Sequence, residues 1–196
     1  NVTRLFFSAT GRPIPKGSGY LSLHELFFAS GGVGVSESLV FAGGISLFPG
    51  ASEQLVYLAP KATVYNKNNR SFSVGALLGT VTGESDYGGI LYGVGTFGPE
   101  DQAITIGSGF LFGGGDVVST PIIMIGAEKQ LGSRTKFITE NYFMPGVSAN
   151  GVLSLGIRII GDRLTTDVAA LTHTAVLNEG GFPLFPWVSF SYNFGH

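Results

Sequence analysis

Few side chains in this sequence can do ionic, acid–base or metal chemistry, and fewer still lie within strand-like stretches: Lys61, Glu128, Lys136, Glu140, Arg158 and Asp167. Two of them are tied together by local pattern. Leu153, Leu155, Ile157 and Ile159 alternate with Ser154, Gly156 and Arg158, and on the return run Leu164, Val168 and Ala170 alternate with Thr165, Asp167 and Ala169. That is the period of two strands with unlike faces, joined around Gly161, Asp162 and Arg163. A short turn there puts Arg158 and Asp167 on one face, opposite each other or one step diagonal. Counted from the nearest short turn, Lys61, Glu128, Arg158 and Asp167 lie at similar depth, with Glu140 slightly deeper. They predict a belt of paired charges, because an isolated ion in low dielectric is costly. Such a belt either forms a constriction that selects solutes or braces and closes a lumen, and the bracing role is favoured.

Other chemistry finds little support. The histidines are His24, His173 and His196. His173 could pair with Asp167 or a nearby serine, but no nucleophile is singled out, so no catalytic residue and no enzyme activity are expected. The histidines and carboxylates show no metal-ligand spacing. Gly113-Gly114-Gly115-Asp116 is not followed by a helical pattern and makes no phosphate cradle. The chain has no cysteine, which excludes disulfide, iron–sulfur and thiol chemistry. No cofactor is expected.

The elements that must position the charges follow from composition. Of 196 residues, 44% are hydrophobic and only 12% charged, about half the usual charged share of a soluble domain. There are 31 glycines and 16 phenylalanines, and the net charge of −2 offers no basic stripe for nucleic acid. No unbroken apolar run of roughly 18 residues is present, so a spanning helix is not expected. Strand patterns recur near 3–8, 19–34, 39–48, 54–65, 71–82, 89–97, 103–112, 120–131, 135–144, 152–160, 164–172 and 187–195. Many approach the roughly 9–11 residues that a tilted strand needs to cross a bilayer. Nothing marks a domain boundary, so residues 1–196 read as one domain.

The connections alternate in kind. Ser36 to Ser38, Asn66 to Arg70, Gly98 to Gln102, Gly132 to Arg134 and Gly161 to Arg163 are short and polar. Those around Thr10 to Ser18, Pro49 to Glu53, Gly83 to Gly88, Gly113 to Ser119, Pro145 to Gly151 and His173 to Pro186 are mostly longer. Short turns at one end and longer loops at the other are the pattern of an up-and-down antiparallel transmembrane β-barrel, here of about twelve strands with both termini at the short-turn end. The faces agree: Val56, Leu58, Ala62 and Val64 oppose Tyr57, Lys61, Thr63 and Tyr65, and Phe72, Val74, Ala76 and Leu78 oppose Ser71, Ser73, Gly75 and Gly79. The bulky face is expected to meet lipid and the small polar face the lumen. Tyr20, Phe48, Tyr87, Tyr92, Phe97, Tyr142, Phe143 and Trp187 lie near strand ends, where an interfacial girdle would sit. Glu25 falls on the outward phase unless a bulge intervenes. Pro60 removes a ladder bond from its strand, and Thr139 and Asn141 face lipid.

Thr3-Arg4-Leu5-Phe6-Phe7, Pro15-Lys16-Gly17-Ser18-Gly19-Tyr20, Ile138-Thr139-Glu140-Asn141-Tyr142-Phe143 and Pro186-Trp187-Val188 resemble a family of uncharacterised outer-membrane proteins of Gram-negative bacteria. The resemblance runs along nearly the whole chain and implies a bacterial outer-membrane barrel, with no catalytic residues to transfer. The last strand resembles the aromatic-ended signal of such barrels, departing from it where Gly195 and His196 follow Phe194. The function expected is a narrow, porin-like passive channel for small polar solutes, with outer-membrane lipid around it. The alternative is a closed structural or docking subunit of an envelope assembly. A protein partner would be met through the 173–186 loop, by Val176, Leu177, Phe182, Leu184 and Phe185. Oligomeric state is left open.

Overall fold

A computed structural model describes residues 3–146, 151–176 and 184–195. Its strands are β1 (Gly19–His24), β2 (Phe28–Gly34), β3 (Leu39–Ser46), β4 (Leu55–Lys67), β5 (Arg70–Val81), β6 (Tyr87–Phe97), β7 (Gln102–Gly113), β8 (Asp116–Val117), β9 (Ile122–Gly132), β10 (Thr135–Phe143), β11 (Gly151–Ile160), β12 (Leu164–His173) and β13 (Phe185–Phe194). β8 is a two-residue extension that pairs with the end of β7. The other strands form a closed, all-antiparallel ring of 12: each pairs with its neighbours, β1 meets β13, and β6 meets β7. Closure leaves no edge with unpaired backbone groups, which hydrocarbon would not tolerate.

Alternation sets the two faces. Leu21, Phe41, Leu58, Val74, Leu91, Ile106, Phe110, Leu155 and Val168 are exposed on the outer surface, while Ser22, Ser73, Thr96, Thr105, Ser189 and Ser191 are buried inside. On β10 the two outward polar residues satisfy each other. Asn141 Nδ2 donates to Thr139 Oγ1 (2.9 Å), Thr139 Oγ1 donates to the Ser154 carbonyl (2.6 Å), and the Ser154 amide donates to Asn141 Oδ1 (3.1 Å).

The N-terminal region departs from the sequence reading. Residues 3–8 are not a stave and Thr10–Ser18 is not an outer loop: the chain from Thr3 to Ile14 lies inside the barrel, and Pro15–Gly17 are exposed where it emerges. Thr3 to Thr10 fold into a tight turn, with Leu5 N donating to Ser8 O and Thr10 N to Thr3 O (both 2.9 Å). The chain then descends to join β1 at the short-turn end, where Gly17 N bonds Gly34 O and Gly34 N bonds Ser18 O. The span 19–34 is two strands, too long for one stave of roughly 9–11 residues. Its turn is made by Glu25 and Leu26, both at positive φ (48° and 61°). Glu25 does not face lipid. Its amide donates to Val188 O, and its carboxylate accepts the Val188 amide. The strand total survives because one expected stave left the wall and another divided.

Two smaller corrections follow from side-chain packing. A bulge between Thr63 and Tyr65 turns Tyr65 outward, where its ring meets Phe72 at 6.0 Å. Of the expected girdle, Phe48, Tyr87, Phe97 and Phe143 are exposed. Tyr20, Tyr92 and Tyr142 instead point inward, and Trp187 packs against the internal cluster of Leu5, Phe6, Val94, Met124, Ile138 and Ala169.

Glycine makes room for the internal segment. A Cβ on Gly126 would lie 2.2 Å from Leu5 Cδ1, and one on Gly11 would lie 2.3 Å from the Ser71 carbonyl oxygen. Gly126→Val is therefore expected to displace the Thr3–Thr10 turn and destabilise the protein by about 1–3 kcal/mol, the range for overpacking. The check is limited proteolysis in detergent, with earlier cleavage between residues 3 and 18 than in the parent.

Candidate functional site

The inward ions of the wall converge on the internal segment. Arg158 on β11 and Asp167 on β12 are directly paired in register and fully buried. Their contact is two-pronged: Nε donates to Oδ1 at 2.6 Å and Nη2 to Oδ2 at 2.9 Å. Ser189 donates to the same carboxylate at 3.0 Å. The guanidinium N–H groups left over reach the internal segment, Nη1 to the Arg4 carbonyl (3.0 Å) and Nη2 to the Leu5 carbonyl (2.6 Å).

Glu140 works from the opposite charge. Its carboxylate accepts the amides of Phe6 (2.7 Å), Phe7 (3.1 Å) and Ser8 (3.0 Å) and the Tyr142 hydroxyl. Lys61 donates to the carbonyls of Thr10 (2.9 Å) and Arg12 (2.7 Å). Glu128 binds Lys136 Nζ at 2.9 Å and the Arg12 guanidinium. Of the five residues Lys61, Glu128, Glu140, Arg158 and Asp167, only Arg158 and Asp167 pair with each other. Lys61 and Glu140 are answered by backbone atoms of the internal segment.

That segment adds functional residues the sequence did not mark. Arg4 donates to Phe6 O (2.6 Å) and to Ser191 Oγ, approaches Asp167 at 3.8 Å, and lies 5.6 Å over the Tyr20 ring. Arg12 also holds the carbonyls of Gly98 (3.2 Å) and Pro99 (2.8 Å), and Lys136 holds that of Glu100 (2.6 Å), drawing the β6–β7 turn beneath the barrel. The available signal was Pro13 and Pro15, which suit a strand poorly, alongside two arginines with no place in the alternating pattern.

Above the segment, toward the long-loop end, is a cup of about 200 Å³. Its floor includes Arg4, Phe7 and Ser8, and its walls include Tyr57, Leu77, Ile90, Tyr92, Val94 and Met124. The Phe7 ring meets His24 at 6.4 Å and Tyr57 at 6.5 Å. His24 Nε2 lies 3.1 Å from Ser30 Oγ, and its buried Nδ1 has no hydrogen-bond partner among the described residues. A small concave space, mostly apolar with a few convergent polar groups, is suited to holding a small molecule.

Among solved structures the chain is similar to KdgM porin in complex with disordered oligogalacturonate, with a TM-score of 0.67 and 8% identity over 91% of this chain and 98% of that one. It is similar to a second structure of KdgM porin at a TM-score of 0.66, with the same identity and coverage. The fold is that of a porin barrel. At this identity the likeness speaks for architecture alone. No protein-family model and no curated protein matches the chain. In the loop singled out for partner contact, residues 177–183, including Leu177 and Phe182, lie outside the described residues, as does His196.

Asp167→Ala would leave Arg158 buried without its carboxylate and withdraw the counter-charge facing Arg4. The expected cost is about 3–5 kcal/mol, as for other broken buried pairs. Arg158→Met combined with Asp167→Leu should recover much of that loss, because no lone charge remains. Urea unfolding in lipid or detergent reads the difference.

Proposed function

We propose that the protein is an outer-membrane β-barrel that admits small solutes from the long-loop side, with its short turns in the periplasm. The supporting observation is the cup, a cavity enclosed by a closed barrel with an apolar outer surface and floored by the chain's own N-terminal segment. In the short-turn half of the lumen the segment is held by Glu140, Arg158, Lys61 and Glu128, so axial passage requires it to move.

Ionic partnerships bear on what is admitted. Arg4, Arg12, Lys136 and Arg158 already hold carboxylates or carbonyls. The solute suited to this lumen is small and uncharged, unlike the oligogalacturonate of the KdgM complex. Low affinity for anions follows from cations whose charge is already engaged.

Single-channel recording in planar bilayers tests the reading. The parent protein is expected to give small or infrequent steps. Deleting Thr3–Pro13 should raise ohmic conductance several-fold, and Glu140→Ala, which frees the three amides of Phe6, Phe7 and Ser8, should give an intermediate increase. A deletion variant that folds, by its β-sheet circular dichroism and heat-modifiable gel mobility, and yet stays silent would overturn the channel reading.

A further inference from the structure

The axial way out of the cup meets the N-terminal segment, but the ladder of the wall beside the cup is weakened. Register pairs between β4 and β5 run from Leu55–Val81 to Leu58–Leu78 and resume at Lys61–Gly75. Ala59 opposite Leu77 and Pro60 opposite Ala76 keep that register, but the ladder lacks one bond there. Pro60 has no N–H with which to make one.

The faces of these two pairs bear on separate spaces. Ala59 and Leu77 point inward and line the cup. Pro60 and Ala76 point outward and line a second concavity, open on the lipid-facing surface. Lys61, Tyr92, Gly93 and Ser108 border both spaces. Side-chain mass is scarce here. A Cβ on outward-facing Gly93 would find nothing within 4 Å, and one on inward-facing Gly75 would lie 2.5 Å from the Tyr92 hydroxyl. Backbone, the Tyr92 ring and the Lys61 side chain stand between cup and membrane.

We propose that this stretch of wall is a lateral portal, through which a small neutral apolar molecule held in the cup passes sideways between β4 and β5 into the hydrocarbon of the membrane. The proposal rests on the channel reading above and names its solute class. The cup presents Phe7, Leu77, Ile90, Val94 and Met124 to its contents, surfaces that attract an aromatic or alicyclic molecule and not a sugar. Hydrocarbon is a favourable destination for such a molecule and an unfavourable one for a charged or hydroxyl-rich solute. Opening here sacrifices one ladder bond fewer than opening where the ladder is continuous.

Because the chain has no cysteine, Ala59→Cys with Leu77→Cys places a single disulfide across the portal. The protein is reconstituted into vesicles whose outer leaflet is lipopolysaccharide, and transfer of N-phenyl-1-naphthylamine from water into hydrocarbon is followed by fluorescence. The parent is expected to speed transfer several-fold over protein-free vesicles. The oxidised double variant should fall to the protein-free rate, and dithiothreitol should restore it. Pro60→Val, which supplies the missing N–H without a cross-link, should slow transfer and covers the case in which the double variant misfolds. Parent-like transfer by the oxidised, correctly folded variant overturns the portal. So does a parent that moves no dye although its Thr3–Pro13 deletion conducts ions, a result that leaves the channel reading standing. Absence of both dye transfer and conductance removes the two together.

Discussion

Arg158 is the residue through which wall and lumen are joined. Its guanidinium is planar and carries more donors than Asp167 can accept, so once the two-pronged bond across β11 and β12 is made, N–H groups remain. Because Arg158 is fully buried, those donors must find acceptors in the protein, and the carbonyls of Arg4 and Leu5 supply them. The pair fixes where the N-terminal turn sits, and the turn in turn fixes the floor of the cup. A buried pair of this kind contributes little net stability against an apolar replacement, but it leaves little freedom of position.

The relation is reciprocal. A chain segment that crosses a lumen outside any sheet carries amides and carbonyls that a ladder would otherwise satisfy. Here the ions of the wall do that work: Glu140 for three consecutive amides, and Lys61 and Arg158 for carbonyls at four positions. Steric fit follows the same logic, since Gly126 is the notch that receives Leu5. Ser73 and Thr96 add bonds to the backbone of Gly11 at 2.8 and 2.9 Å. What the wall lacks in side-chain volume the segment provides.

The parts of this that local pattern reveals are those in which neighbours in sequence are neighbours on a ladder. The β11–β12 hairpin, the facing of β5, and the alternation of short and long connections all come from a period of two and from turn chemistry. The broken ladder at Pro60 belongs with them, because a missing N–H is a local property. The internal segment left only the weaker signal of Pro13, Pro15 and two arginines outside the alternation. Leu5, Phe6 and Phe7 have the side chains of a strand, but their partners lie on β9 to β12 far along the chain and, for the Phe7 ring, on β1 and β4. The β1–β2 turn was equally hidden, since Glu25 and Leu26 adopt positive φ without the glycine or asparagine that usually announces it. Spacing put the five ions on the inward face, but Lys61 and Glu140 are answered mainly by backbone atoms, which no residue type advertises.

Anchoring through backbone atoms has an evolutionary corollary. Glu140 reads amides, and Lys61 and Arg158 read carbonyls, so the grip of the wall is largely indifferent to which side chains the internal segment carries at Phe7 and Ser8. Drift there would retune the floor of the cup, and with it the shape of molecule that fits, while the lashings beneath stay intact. Proline at either position, which would remove an amide, is the replacement such drift has to avoid.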